Sequence, residues 1–532
     1  MNTTAQFISY SSTGFFSTII SDYISGNELL KPFYNHPVSV DGIKAAIEER
    51  KKYPTNRKLL ADVLKNQYAH ESLSPRQQLN IEQLNNDNCF SITTAHQPNI
   101  FTGHLYFVYK ILHAVKLAEE LQLQIPGNHF VPFYYIGSED ADLEELGEVT
   151  ISGKKYTWQT KQTGAVGRMK IDKAFIGLID AIEGQLSVET FGNEIVSLVR
   201  KIYTLNKTIE QATFEIVNSL FASYGLLILM PDNAVLKNEF AGVIKKELEE
   251  QFSHKAVTQT MGSFPAQYKV QAAGRELNLF YLKEDSRERI VKEGSEFKVQ
   301  SSKFSETEML DELHFYPERF SPNVILRPVF QELVLPNIAF IGGGGELAYW
   351  LELKKVFEAV GVPYPVLVLR NSFMLVNKKA AQKIAALQLT ATSFLKPTHE
   401  LMLQLVQQSS LLQLQLTQEK EELAHLYQKI KQVAVAVDVT LQQHAEALFT
   451  TANKKITRLE KKMLLAEKKK FEAQQRQVEK IKELLFPCGN LQERVDNIMP
   501  YYAYYGPAFI QTLYEHSAGL QQEFCIITET AE

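Results

Sequence analysis

A chain of 532 residues is longer than one hydrophobic core normally covers, so two or more domains are expected. With 45% hydrophobic residues, 22% charged residues and a net charge of −5, it gives no reason to expect nucleic acid or an anionic membrane as the main partner. Its three scattered cysteines, Cys89, Cys488 and Cys525, include no CxxC, which argues against a disulfide framework or a cysteine zinc site and suits a reducing cytoplasm.

The first residues, MNTTAQFISYSSTGFFSTIISDY, lack the basic start and long apolar stretch of a signal peptide. No run of 18 apolar residues occurs, so no membrane span is expected. Residues 1–90 read mainly as helices, with candidates at 16–25, 40–52 and 56–68. NCFSITTA then reads as a strand, followed by a loop holding His96 and His104 and a helix over about 103–121. In that helix Leu105, Val108, Ile111, Leu112, Val115 and Ala118 recur at helical spacing. IPGN is a turn, and HFVPFYYIG reads as a buried strand. Strand, helix, strand in this order is a βαβ unit, which implies a parallel sheet with a right-handed crossover.

From about 150 to 300 the pattern is mixed and reads as insertions on the sheet, although YGLLILMPD (224–232) and ELNLFYL (276–282) look like strands. The βαβ pattern returns with NIAFIG, four glycines at 342–345, a helix predicted over 346–360, and PVLVLR. From 399 to 485 there is no proline or glycine, and apolar residues fall mostly at steps of 3, 4 or 7. A hairpin of two long helices with a break near 433–439 accounts for this; an arm of ~40 residues would reach roughly 60 Å. The expected fold is therefore α/β. A Rossmann-like parallel-sheet core with insertions occupies 1–390, an antiparallel α-helical coiled-coil arm 391–486, and a C-terminal segment, 487–532, packs back on the core.

In an α/β sheet, ligands sit beyond the carboxyl ends of the strands. AHQPNIFTGHL lies there, and a helix start can hold an anion. The loop is similar to the G-x-F-D-P-x-x-x-G-H-L signature of the nucleotidyltransferase superfamily, which makes His96, Gln97, Thr102, Gly103 and His104 candidates for a phosphate site. The alternative is a polar capping loop without a ligand. Glu139, Asp140 and Asp142, in GSEDADLEE, follow the next strand; they could bind an ammonium group, hold Mg²⁺ or act as a general base, or simply favour a helix start. Gly342, Gly343, Gly344 and Gly345 let backbone approach a ligand, with Glu346 and Tyr349 following on the helix. Arg327 and Gln331 lie upstream, and Arg327 suits a carboxylate or phosphate. The basic stretch 451–482, with 11 Lys/Arg against 4 Glu, reads as a solvated coiled-coil face. No HExxH, GxSxG or spaced Cys/His cluster appears, and no metal-binding residues are assigned.

Taken together, HQPNIFTGHLYFVYK, VPFYYIGSEDADLEEL, GAVGRMKI (164–171), SPNVILRPVFQELVLPNIAFIGGGGELAYWLELKKVF and a long coiled coil ending in LFPCGNLQER resemble the cysteine-adding ligase family of bacillithiol biosynthesis. The likeness runs nearly end to end. It implies a coiled coil that pairs two subunits, and a ligase that forms an amide between cysteine and glucosaminyl-malate in the last step of the pathway. Two positions depart from that family's pattern: many members carry proline at the position of His104, and GPGE where this chain has GGGE at 343–346. A carboxylate does not acylate an amine unaided, so ATP, with Mg²⁺, is the expected activator. Two other readings stay open: a nucleotidyltransferase with the GH signature, and a non-catalytic nucleotide-binding coiled-coil scaffold.

Overall fold

Five short apolar runs build the central sheet. They are β1 (Cys89–His96), β2 (His129–Ile136), β3 (Leu227–Leu229), β4 (Asn337–Gly342) and β5 (Val366–Leu369). In the computed structural model, which describes residues 1–272, 274–409 and 415–530, these strands lie in the order β5-β4-β1-β2-β3 and every neighbouring pair is parallel. Nearly every residue on these strands is buried, as a sheet covered on both faces requires. The order places β1 in the middle, with β2 and β3 laid down on one side and β4 and β5 on the other. The direction of winding therefore reverses between β1 and β4.

The helices that matter for the site are α1 (Val40–Arg50), α2 (Leu105–Gln124), α3 (Ile209–Phe221), α4 (Ala234–Glu250), α5 (Arg327–Val334) and α6 (Gly344–Trp350). Helix α2 connects β1 to β2 and packs on both. All six apolar positions expected to face the core are buried, but so are Phe107, Tyr109, Lys110, His113 and Ala114. The helix is enclosed on nearly every side because the C-terminal segment covers its outer face. His113 Nε2 meets the Gly519 carbonyl at 2.6 Å, and the Lys116 ammonium lies 5.0 Å from the Tyr514 ring centre. Each fully buried leucine or phenylalanine here contributes about 1.5–3 kcal/mol relative to exposure.

Two expectations need correction. The span predicted as one helix over 346–360 is two, α6 and a separate Lys354–Val360 helix. Glu352, between them, turns its carboxylate to the amides of Gln271 and Ala272 at 2.7 and 2.6 Å. The stretch 150–300 is also not wholly inserted, because β3, α3 and α4 belong to the sheet and its covering layer.

The chain divides into two compact units: Met1–Met374 with Asn490–Ile527, and Leu375–Gly489 with the residues from Thr528 onward. The second unit contains the helices α7 (Thr417–Val437), α8 (Leu441–Lys468) and α9 (Glu472–Leu485). The pairs Lys420–Glu460, Tyr427–Phe449 and Lys431–Glu446 converge on a turn at 438–440, so α7 and α8 form an antiparallel hairpin. Its limbs of 21 and 28 residues reach roughly 30–40 Å, shorter than the arm expected from the uninterrupted polar pattern. A short turn, Lys469–Phe471, separates α9 from α8, and the part of the expected pattern at 410–414 lies outside the described residues. Among the described residues, no helix is long and apolar enough to cross a membrane.

Candidate active site

Where the winding reverses, the loops leaving β1 and β4 part and leave a crevice beyond the strands' carboxyl ends, the usual place for a ligand in such a sheet. A cleft of about 380 Å³ opens there, within the size range of small-molecule sites. The end of β1 contributes Ala95 and His96, the loop after β2 contributes Gly137 and Asp140, and the turn after β4 contributes Gly343, Gly344 and Gly345. Helix α5 supplies Arg327 and Gln331, helix α6 supplies Glu346 and Tyr349, and Arg370 follows β5.

His96 is 8% exposed, and its ring packs between those of Tyr106 and Phe107, each 5.3 Å away. Its Nε2 is buried with no hydrogen-bond partner among the described residues. Burial, and then the charges of Lys110, His104 and Arg370, hold its pKa well below the usual histidine value, so the ring is neutral at pH 7. Lys110 projects from the buried face of α2, donates to the Ala95 carbonyl at 2.7 Å, and pairs with Glu346 at 2.5 Å. Burial lowers its pKa against the pull of that carboxylate. Glu346 also accepts from the Gly343 amide at 2.7 Å, closing the first turn of α6. Arg370 is 3% exposed and is held by Glu493 at 2.7 Å.

Asp140 and Arg327 form the loosest ion pair in the cleft, at 3.6 Å. Gln97 donates to the same carboxylate at 3.3 Å. Burial pushes the Asp140 pKa up. The Arg327 and Arg287 charges, with hydrogen bonds from Gln97 and the Asp142 amide, outweigh it and keep the carboxyl below its usual range. Gln331 is fully enclosed and donates to Glu332 at 2.9 Å.

The other candidates lie elsewhere. Thr102, Gly103 and His104 do not line the cleft. The start of α2 is closed by the chain itself: Leu105 N donates to the Asp496 carbonyl at 2.8 Å, and Asn497 Nδ2 donates to the carbonyls of Phe101 and Gly103. His104 Nδ1 lies 3.2 Å from the Val495 carbonyl. Glu139 faces Lys237 and Ser321, Asp142 caps the short helix Leu143–Leu146, and Gly342 ends β4 with its carbonyl bonded to the Arg370 amide. Among the described residues, no group of three His, Cys, Asp or Glu side chains is placed to hold a metal.

Residues 3–371 match the family described as bacillithiol biosynthesis BshC, N-terminal Rossmann-like domain, and residues 373–529 match its C-terminal coiled-coil domain. The chain belongs to the BshC family. Relatives from Flavobacterium johnsoniae and Flavobacterium psychrophilum are each 37% identical over 525 residues. These alignments span 98% of this chain and 99% and 98% of the relatives. A relative from Christiangramia forsetii is 36% identical over 530 residues, 98% of each chain. All three carry the name "Putative cysteine ligase BshC". The chain is thus similar over 98% of its length to proteins named as cysteine ligases.

Several cleft residues of this BshC-family chain escaped the sequence reading. Lys110 had a signal, a lysine within the apolar stretch of a helix, and so did Arg370, a charge closing an apolar strand. Tyr106 had none. Glu493 and Arg494 lie in the segment after the coiled coil and reach the site only through the tertiary fold; Arg494 is exposed at the rim and makes no ion pair among the described residues.

Proposed function

We propose that this chain joins the carboxyl group of cysteine to the amine of glucosaminyl-malate, the last step of bacillithiol biosynthesis. The observation that carries the reading is the Asp140–Arg327 pair. A carboxylate and a guanidinium held 3.6 Å apart beside a cleft match the ammonium and carboxylate ends of a free amino acid. On this reading Asp140 holds the cysteine ammonium and Arg327 its carboxylate. Arg494, exposed at the rim with no ion pair among the described residues, receives a malyl carboxylate.

The acylation forms one C–N bond, breaks the bond from the carboxyl carbon to its leaving group, and releases a proton from the attacking amine. His96 suits that proton: it lines the cleft, it is neutral, and its Nε2 has no partner among the described residues. ATP fits the turn at Gly344 and Gly345 beside Lys110 better than the start of α2, where protein carbonyls already occupy the amides. The nucleotide would supply the leaving group that a bare carboxylate lacks.

A strain deleted for this gene tests the proposal. It should accumulate glucosaminyl-malate and lack bacillithiol; the wild-type gene should restore the thiol, and His96→Ala should reduce the rate of its formation about 100-fold or more. Bacillithiol at wild-type levels in the deletion strain would remove the function, and full restoration by His96→Ala would remove the base. Pairing of two copies in the cytoplasm belongs to the same reading. Leu426, Ile430, Val433 and Val437 are exposed at steps of four, three and four along α7, a seam suited to a second helix. Sedimentation at the mass of one chain would rule it out.

A further inference from the structure

The loop after β2 has two faces. Asp140 turns to the cleft, and Glu139 before it turns to a cluster of charges outside the cleft. Asp232 follows β3 and accepts two hydrogen bonds from Arg168, at 2.6 and 2.8 Å. Lys237, one turn into α4 and 1% exposed, lies 3.2 Å from Asp232 and pairs with Glu139. Glu139 also accepts from Ser321 Oγ at 3.0 Å. The turn that carries Arg168 grips the same loop through its backbone: Val166 N donates to the Asp140 carbonyl at 2.8 Å, and Gly167 N to the Ser138 carbonyl at 3.0 Å. Gly167 has no room for a side chain, because a Cβ there would sit 2.5 Å from the Ser138 carbonyl oxygen.

We propose that Lys237, Asp232, Arg168 and Glu139 form a brace that positions Asp140 in the cleft and so sets the affinity of the site for the ammonium end of an amino acid. The brace rests on the reading of Asp140 given above. Burying this many charges adds little stability, because the cost of removing each from water cancels most of the attraction. What such a network does supply is a fixed geometry, since every member has one set of partners. A substrate-binding carboxylate needs that geometry, because its own ion pair with Arg327 is loose. The arrangement also gives a role to two sequence motifs that the cleft itself leaves unused, GAVGRMKI and the aspartate closing YGLLILMPD. Lys237, Asp232, Arg168 and Glu139 are positioning residues and touch no substrate.

Calorimetric titration of the full chain with L-cysteine, and separately with glucosaminyl-malate, tests the brace. Glu139→Gln removes the charge opposite Lys237 and keeps an acceptor for Ser321. Gly167→Ala pushes the loop from its backbone side. Both should bind L-cysteine about tenfold more weakly, while glucosaminyl-malate binding stays at the wild-type value; Glu139→Gln should keep its melting temperature, and Gly167→Ala should lower it, because its Cβ must displace the Ser138 backbone. Lys237→Met should do the same, and if it does not fold the other two decide. Wild-type L-cysteine affinity in both Glu139→Gln and Gly167→Ala, with Asp140→Asn weakened, would overturn the brace and leave the Asp140 reading intact. No L-cysteine binding by the wild type, or wild-type binding by Asp140→Asn, would overturn that reading and the brace with it.

Discussion

The two helix starts beside the cleft look alike in sequence and differ in what they are for. Both follow a buried strand of the sheet, and both have glycine at or just before the first turn. At the start of α2, Gly103 has φ +65, and a Cβ on it would lie 2.8 Å from Asn99 Cβ. The Leu105 amide is taken by Asp496, and Asn497 ties down the carbonyls around it. This glycine serves the packing of its own chain. At the start of α6, a Cβ on Gly345 meets nothing within 4 Å, and both Gly344 and Gly345 line the cleft. That glycine leaves space the protein does not fill. A glycine at a strand-to-helix turn therefore points to a ligand only when its surroundings are empty.

The sharpest way to break this contrast is to fill the empty start. Gly345→Val should leave stability within about 0.5–1 kcal/mol, the range for helix propensity, and lower kcat/KM about tenfold or more by intruding on the cleft. Denaturant unfolding and steady-state ligation measure the two. Full activity would mean that the glycine turn holds nothing. The filled start should show the reverse. Gly103→Ala should cost about 1–3 kcal/mol, from a left-handed backbone and contact with Asn99, while kcat/KM per folded molecule stays within about twofold. A stable Gly103→Ala protein with a raised KM would reverse the assignment of the two starts.

The elements that carry this contrast were legible in the sequence; the contrast itself was not, because both starts read as ligand sites. Periodicity located β1, α2, β2, β4 and β5, and the rule that ligands sit beyond strand ends singled out the loops holding His96, Asp140 and Gly343. What periodicity cannot see is which distant segment lands where. The closure of α2 depends on Asp496 and Asn497, nearly 400 residues from Gly103, and they lie in a stretch without pattern. Glu139, Asp140 and Asp142 form one acidic run, yet they face a buried lysine, the cleft and a helix cap in turn, because an irregular loop rotates each side chain independently. Arg494 carries no local signal, since a charged residue after a long charged helix is ordinary. The single helix expected over 346–360 failed for a similar reason: Glu352 bonds to amides more than 70 residues earlier in the chain.

The smallest expected effect separates the two histidines that open and close the β1 loop. A base works only while neutral, and the pKa of His96 is depressed, so the fall of kcat/KM with acid should begin well below pH 6.5, the ordinary histidine value. Its stability contribution has the same direction: neutral burial favours the folded chain above the unfolded pKa, and that advantage declines as the pH falls from about 6.5 toward the folded value. His104 lies at the closed start of α2, and its ring bonds to the Val495 carbonyl. It affects His96 only through space, as one of the charges that lower its pKa. His104→Ala should therefore keep kcat/KM at pH 7.5 within about twofold. It should also move the acid limb slightly upward, toward pH 6.5, because one opposing charge is gone. A pH profile of the two proteins reads both effects, and a large loss at pH 7.5 would show that His104 takes part in the chemistry and does not merely pack at the closed start of α2.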